Sequence, residues 1–117
     1  MNRYYFGALI WSCLILGLTL TPGKSLPSVD LFTYDKLGHL IIFLVLTFLY
    51  TAGLFKNKNS VVKSILLGLI VTIFYGAAIE VIQKFLPDRS MDWKDLAANC
   101  SGSLIGTIVF MLIKKKI

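Results

Sequence analysis

The polar chemistry of this 117-residue chain is densest in two stretches. Ile79 to Gly102, IEVIQKFLPDRSMDWKDLAANCSG, drops Glu80 and Gln83 into an apolar run and then supplies Arg89, Asp92, Asp95 and Asn99. Earlier, Asp35-Lys36-Leu37-Gly38-His39 brings an acid, a base and the sole histidine within about one helical turn. Such groups hold a charged head group, move a proton or ligate a divalent ion. Their spacing is helical. Asp35 and His39 stand at i, i+4, Glu80 shares a face with Gln83 and Pro87, and Asp92, Asp95, Asn99, Gly102 and Gly106 form one stripe.

The elements that must position these residues follow from composition. A hydrophobic content of 56% and a mean hydropathy of +0.77 exceed what a soluble domain of this size can bury. The chain is therefore expected to be an all-α integral membrane bundle, one domain over residues 1–117. Its net charge of +6 is split into short clusters between apolar runs, which argues against nucleic acid as a partner.

Four apolar runs are expected to span, over residues 4–21, 37–55, 65–86 and 96–113. A cleaved signal peptide also begins with a basic residue, but LTLTPGKS lacks an A-x-A-like site and more membrane follows, so the first run is expected to remain as a span. Pro22-Gly23 stops it, and Lys24 to Tyr34 is expected to be an exposed loop. Asp35 is expected to cap the second helix or lie in its first turn, the basic turn KNKNS ends that helix, and Pro87 ends the third. Tyr34, Tyr50 and Trp93 fall near expected membrane boundaries. Cys13 and Cys100 lie within spans and are expected to be small apolar fillers.

Charge gives the orientation. Arg3, Lys56, Lys58, Lys63 and Lys114 to Lys116 share one side with no acid, whereas the other side holds five basic residues against all six acids. Both termini are expected in the cytoplasm.

Depth then gathers the polar residues. His39 lies about 6 Å inward of Asp35, Asn99 about 6 Å inward of Asp95, and Glu80 and Gln83 about 10 and 6 Å before Pro87. Ionisable groups at one such level should face each other inside the bundle or in a cavity open to the outside. Glu80 must be protonated or paired, with Lys36, His39 and Arg89 the available cations. Plainer roles exist for several of these groups: Lys36 and Arg89 snorkelling to head groups, Asp92 or Asp95 capping the fourth helix, and Glu80 in a structural ion pair. Gly68, Thr72 and Gly76 before Glu80, with Gly102 and Gly106 below Asn99, are expected to let helices three and four pack closely.

Asp35-Lys36 followed by His39 and Phe43, then Glu80, Gln83, Pro87, Arg89, Asp92, Asp95, Asn99, Gly102 and Gly106, resembles the signature of the VanZ-like family of small bacterial membrane proteins, over about residues 34 to 113. The resemblance implies that Asp35, Lys36, His39, Glu80, Gln83, Arg89, Asp92, Asp95 and Asn99 are the family's polar positions. It also implies a location in the bacterial cytoplasmic membrane. The name-giving member is associated with low-level resistance to the glycopeptide teicoplanin, which names a phenotype and not a mechanism.

Three functional classes follow. The first is an outward-facing recognition site for a cell-envelope lipid head group or an amphipathic glycopeptide or lipopeptide. Arg89 and Lys36 would contact phosphate or carboxylate, Glu80 and His39 would orient it, and Asn99 and Gln83 would donate hydrogen bonds. The second is an intramembrane enzyme on a lipid-linked substrate, using His39 and Glu80 as acid and base or, with Asp92 and Asp95, a divalent metal. One histidine excludes a multi-histidine zinc site, neither cysteine has ligand spacing, and no cofactor is expected. The third is a transporter or channel, which the cytoplasmic half disfavours: below the polar layer lie only scattered Thr47, Thr51, Thr72 and Thr107 with no charge, so a path would need an oligomer.

Overall fold

A computed structural model describes residues 2–19, 31–85 and 93–117, with the backbone alone described at 18, 19 and 31–36. It is all-helical: α1 Arg3–Thr19, α2 Leu31–Lys56, α3 Val61–Gln83 and α4 Trp93–Ile113, then a short 3-10 turn over Lys114–Lys116. Three stretches, Leu37–Lys56, Val61–Gln83 and Trp93–Lys116, are long and apolar enough to cross a membrane. α1 has 17 residues. At 1.5 Å per residue that is about 25 Å, short of the about 20 residues a hydrocarbon core takes. The expected run continues through residues 20 and 21, outside the described residues.

Helix ends depart from expectation for local reasons. α2 begins at Leu31, so the expected loop over Lys24 to Tyr34 is helical in its last four residues. No proline or glycine interrupts Leu31 to Leu37, and the helix runs through them. Asp35 is therefore neither cap nor first-turn acid, since the first turn of α2 holds no acid. α3 starts four residues before the expected Ile65 because Ser60 caps it, its Oγ accepting from the Lys63 N–H at 3.1 Å. It ends at Gln83, before the expected Leu86. α4 opens at Trp93, which leaves Asp95 in its first turn.

Two contacts give the helix directions. Asn2 caps α1, Oδ1 accepting from the N–H groups of Tyr4 (3.0 Å) and Tyr5 (3.1 Å), while Nδ2 donates at 2.9 Å to both the Gly53 carbonyl and Asn57 Oδ1. The start of α1 thus lies beside the end of α2. An edge-on contact of Phe55 and Phe110, with centroids 5.5 Å apart, joins the ends of α2 and α4. α2 and α4 run parallel, with α3 opposite. Arg3, Lys56, Lys58, Lys63 and the three terminal lysines consequently belong to one end of a molecule 43 Å long and 24 by 21 Å across.

Packing is inside out relative to a soluble bundle. The buried face of α3 is Ser64, Gly68, Thr72, Gly76, Ile79, Glu80 and Gln83, whereas Val62, Leu66, Ile70 and Phe74 are exposed. α4 likewise buries Asp95, Asn99, Gly102, Ser103, Gly106 and Thr107 and exposes Leu104, Ile108 and Leu112. Polar and small residues inside, with apolar side chains outward, is what lipid demands.

The expected close packing of helices three and four is present at Gly76, but most of the glycines receive α2. A Cβ built on Gly102 would run into the Leu40 carbonyl oxygen, and one on Gly106 into that of Leu44, so α4 lies backbone to backbone on α2. In α3, a Cβ on Gly68 would strike the Thr51 hydroxyl, and one on Gly76 would press at 3.1 Å on both Phe43 and Asn99 Nδ2. The glycines of α3 and α4 therefore both receive α2. α1 leans on this trio through Trp11 Nε1, which donates to the Ile42 carbonyl at 2.9 Å, and Tyr75, whose hydroxyl donates to the Ser12 carbonyl at 2.6 Å.

Substituting Gly102→Leu should lower stability in detergent by about 1–3 kcal/mol or more, because the obstacle is backbone. Gly17→Ala, where a Cβ meets nothing within 4 Å, should be neutral or stabilising by about 0.5–1 kcal/mol. Thermal unfolding of the two variants checks the contrast. Lys58 has a left-handed φ of 67° in the turn that ends α2, where the Asn59 N–H reaches back to the Leu54 carbonyl. Lys58→Gly should therefore raise stability by about 1 kcal/mol in the same assay.

Candidate functional site

The helix directions bring the amino-terminal half of α2, the carboxy-terminal turn of α3 and the first two turns of α4 to one end. His39, Glu80, Asp95 and Asn99 meet there. His39 Nδ1 lies 2.8 Å from Asn99 Oδ1, and His39 Nε2 lies 3.9 Å from Asp95 Oδ2. The Asn99 amide oxygen can only accept, so Nδ1 carries the proton and Nε2 presents its lone pair when the ring is neutral. His39, Glu80 and Asp95 each offer one donor atom within 4.8 Å of the others.

Burial is graded across the cluster. Glu80 is 0% exposed and Asn99 1%, while the side chains of His39 and Asp95 each keep 12%. Glu80 thus forms the floor, and His39 with Asp95 the mouth. Asp95, in the first turn of α4, sits where the helix dipole favours an anion; Glu80, in the last turn of α3, does not. Glu80 therefore relies on the side chains across from it. Such a floor and mouth can hold a cationic or hydrogen-bonding group, pass a proton through the imidazole, or surround a small cation.

The structure brings together four of the nine residues named from sequence. Gln83 is buried, at 3% exposure, on the face of α3 that carries Glu80. Asp35 and Lys36 belong to α2, but their side chains are outside the described residues, as are Arg89 and Asp92 altogether. Cys100, next to Asn99 in sequence, is half-buried and Cys13 is exposed; both are free thiols.

Below the cluster the threonines are not scattered. The Thr72 hydroxyl donates to the Gly68 carbonyl at 2.7 Å and lies 3.0 Å from Thr47 Oγ1 and 3.3 Å from Ser103 Oγ, joining α2, α3 and α4 in one buried layer. Thr107 donates to the Ser103 carbonyl at 3.0 Å. Sequence reasoning missed Ser103 and Ser64, although four-residue steps lead to both: Asp95, Asn99, Ser103 and Thr107 on α4, and Ser64, Gly68, Thr72, Gly76 and Glu80 on α3. Phe43, 1% exposed and opposite Gly76, stands between this hydroxyl layer and the cluster. A separate groove of about 250 Å³ between α1 and α2 is lined by Tyr5, Ala8, Leu9, Ser12 and Tyr50, with neither a carboxylate nor a cation in its wall.

Comparison with protein families finds a match to the model described as VanZ/LLP1 over residues 5–114, which covers α1 as well as the three helices that carry the motif. Comparison with curated proteins and with solved structures gives no significant match.

Because His39 is the sole histidine, ¹⁵N labelling of histidine should give one unambiguous set of ring signals. At a pH where the ring is neutral they should report the Nδ1–H tautomer. Asn99→Leu should abolish that preference and lower stability by about 1–3 kcal/mol, the cost of leaving a buried donor without its acceptor. An Nε2–H tautomer in the native chain would contradict the hydrogen bond.

Proposed function

The chain belongs to the VanZ/LLP1 family and carries helices fit to cross a membrane, and from that premise we propose that it recognises a polar head group in the outer-leaflet half of its bundle. Its setting in this proposal is the bacterial cytoplasmic membrane, crossed by all four helices with both termini inside. That orientation is supported by the seven basic residues at the end opposite the cluster. The observation that carries the proposal is the meeting of His39, Glu80, Asp95 and Asn99 from three helices within a surface of exposed apolar side chains. Ionisable groups at such depth are costly and are kept where they meet each other or a ligand.

In this proposal the ligand enters from the outer leaflet, with its acyl or aromatic part among the lipids. His39 and Asp95 meet it first and Glu80 holds its innermost polar group. Asn99 and Gln83 contribute hydrogen bonds, with Lys36 and Arg89 reserved for phosphate or carboxylate and Asp35 and Asp92 at the rim. A cell-envelope lipid intermediate fits this description. So does an amphipathic glycopeptide such as teicoplanin, or a lipopeptide, in line with the resemblance noted from sequence. No turnover is needed.

An intramembrane enzyme is the second reading, favoured by one observation. The His39 ring has an orienting partner on Nδ1 that leaves the Nε2 lone pair to accept a proton, as a general base requires. The two readings separate on the fate of the ligand, since recovery of an envelope lipid chemically unchanged from excess protein removes the enzyme.

Native mass spectrometry of the full chain in nanodiscs made from bacterial membrane lipids tests the proposal. Wild-type protein should retain a head-group-specific lipid adduct, and Glu80→Gln and His39→Gln should each weaken it about tenfold, as expected for loss of about 1.4 kcal/mol of polar contact. Equal retention by wild type and by both folded variants would refute recognition at this site.

A further inference from the structure

We propose that His39, Glu80 and Asp95 bind one divalent transition-metal ion, for which zinc is the closest match to the donor set. A single histidine excludes a multi-histidine site, but it leaves open a site assembled from one imidazole and two carboxylates on three separate helices. No two of these three residues are close enough in sequence to make a ligand motif. Only the fold brings them within reach.

Geometry supports this first. With bonds of about 2.0–2.2 Å, the donors of a tetrahedral zinc site stand about 3.3–3.6 Å apart. The three donor atoms here lie within 4.8 Å of one another, and His39 Nε2 is 3.9 Å from Asp95 Oδ2. Rotation of the carboxylates is the movement that would close the remaining gap, with α4 held in register on α2 by Gly102 and Gly106.

Charge supports it second. Glu80 and Asp95 place two acidic side chains beside the imidazole, in a cluster whose floor is wholly buried. A divalent ion is matched in charge by two carboxylate ligands, which a low-dielectric interior favours over an unbalanced charge. A nitrogen donor favours zinc and its neighbours over magnesium and calcium, which take oxygen ligands.

The surroundings supply the third line. Metal-bound histidines donate their second ring N–H to an outer acceptor that fixes tautomer and ring plane. Asn99 Oδ1 stands in that position at 2.8 Å from Nδ1, leaving Nε2 turned toward the Asp95 carboxylate. Asn99 Nδ2 is buried with no hydrogen-bond partner among the described residues, so the site lacks one oxygen acceptor that water or another ligand of the ion would provide. Three protein ligands leave the fourth zinc position open. The ion would use the same His39, Glu80 and Asp95 side chains that are proposed to meet the head group, and its open position would take water or a head-group oxygen.

The test uses the full chain in detergent, stripped by chelator and then supplied with Zn²⁺ or Co²⁺ alone. Wild-type protein should retain about one zinc ion per chain by elemental analysis, and cobalt should give ligand-field bands without a thiolate charge-transfer band. Glu80→Gln and Asp95→Asn should each weaken binding by at least about tenfold, as should Asn99→Leu through the imidazole. The double change Cys13→Ser, Cys100→Ser should leave stoichiometry unchanged. Zinc should also move the ¹⁵N signal of His39 Nε2 in the unsubstituted chain, a readout that survives even if a variant fails to fold. Retention of less than about a tenth of an ion per chain, an unmoved histidine signal, or equal affinity in the folded carboxylate variants would overturn the proposal. Lipid retention in the metal-stripped chain separates failure here from failure of head-group recognition.

Discussion

A carboxyl group removed from water inside a bundle whose outer surface is hydrocarbon is the constraint on which this structure turns. Glu80 has no access to solvent and sits in the last turn of its helix, where the backbone dipole offers it nothing. Everything around it can be understood as compensation. α2 brings an imidazole, α4 brings a carboxamide that orients that imidazole, and the second acid is placed in a first turn where its charge is tolerated. The cluster makes the three helices depend on one another at this end, as the hydroxyl layer around Thr72 does lower down.

Small residues make that convergence possible. Without a hydrophobic driving force between helices, association relies on close van der Waals contact and interhelical hydrogen bonds. Gly102 and Gly106 let the α4 backbone settle on the carbonyls of Leu40 and Leu44, and this brings Asn99 within reach of His39. Gly76 makes room for Phe43 and the Asn99 side chain together. The glycines one or two turns below the cluster are therefore part of what sets its distances.

Much of this could be seen in the residues themselves. Four-residue steps identified the interior faces, and rise per residue placed His39, Glu80 and Asn99 at a common depth, because helical geometry is rigid enough to convert sequence separation into height. Partner choice could not be seen: a glycine stripe states that something comes close without stating what, and the backbone contact of α4 with α2, beside its contact with α3, depends on how all the helices pack. Helix starts were equally opaque. Pro22 and Pro27 precede Leu31 to Tyr34 and give that stretch the character of a loop, and Ser60 closes a basic turn whose charge is a stronger local signal than its capping hydroxyl. Ser103 was missed because a serine next to glycine in an apolar run has no distinctive signature until Thr72 faces it.

Phe43 interrupts what would otherwise be an unbroken column of carboxylate, imidazole and hydroxyl groups along the seam of the three helices. Proton hopping needs a chain of exchangeable groups or water, and an aromatic ring filling the gap opposite a glycine provides neither. The ring leaves that level of the seam without an exchangeable group. With it in place, the titratable groups of the cluster and the hydroxyl groups of the layer below remain two separate polar levels within one bundle.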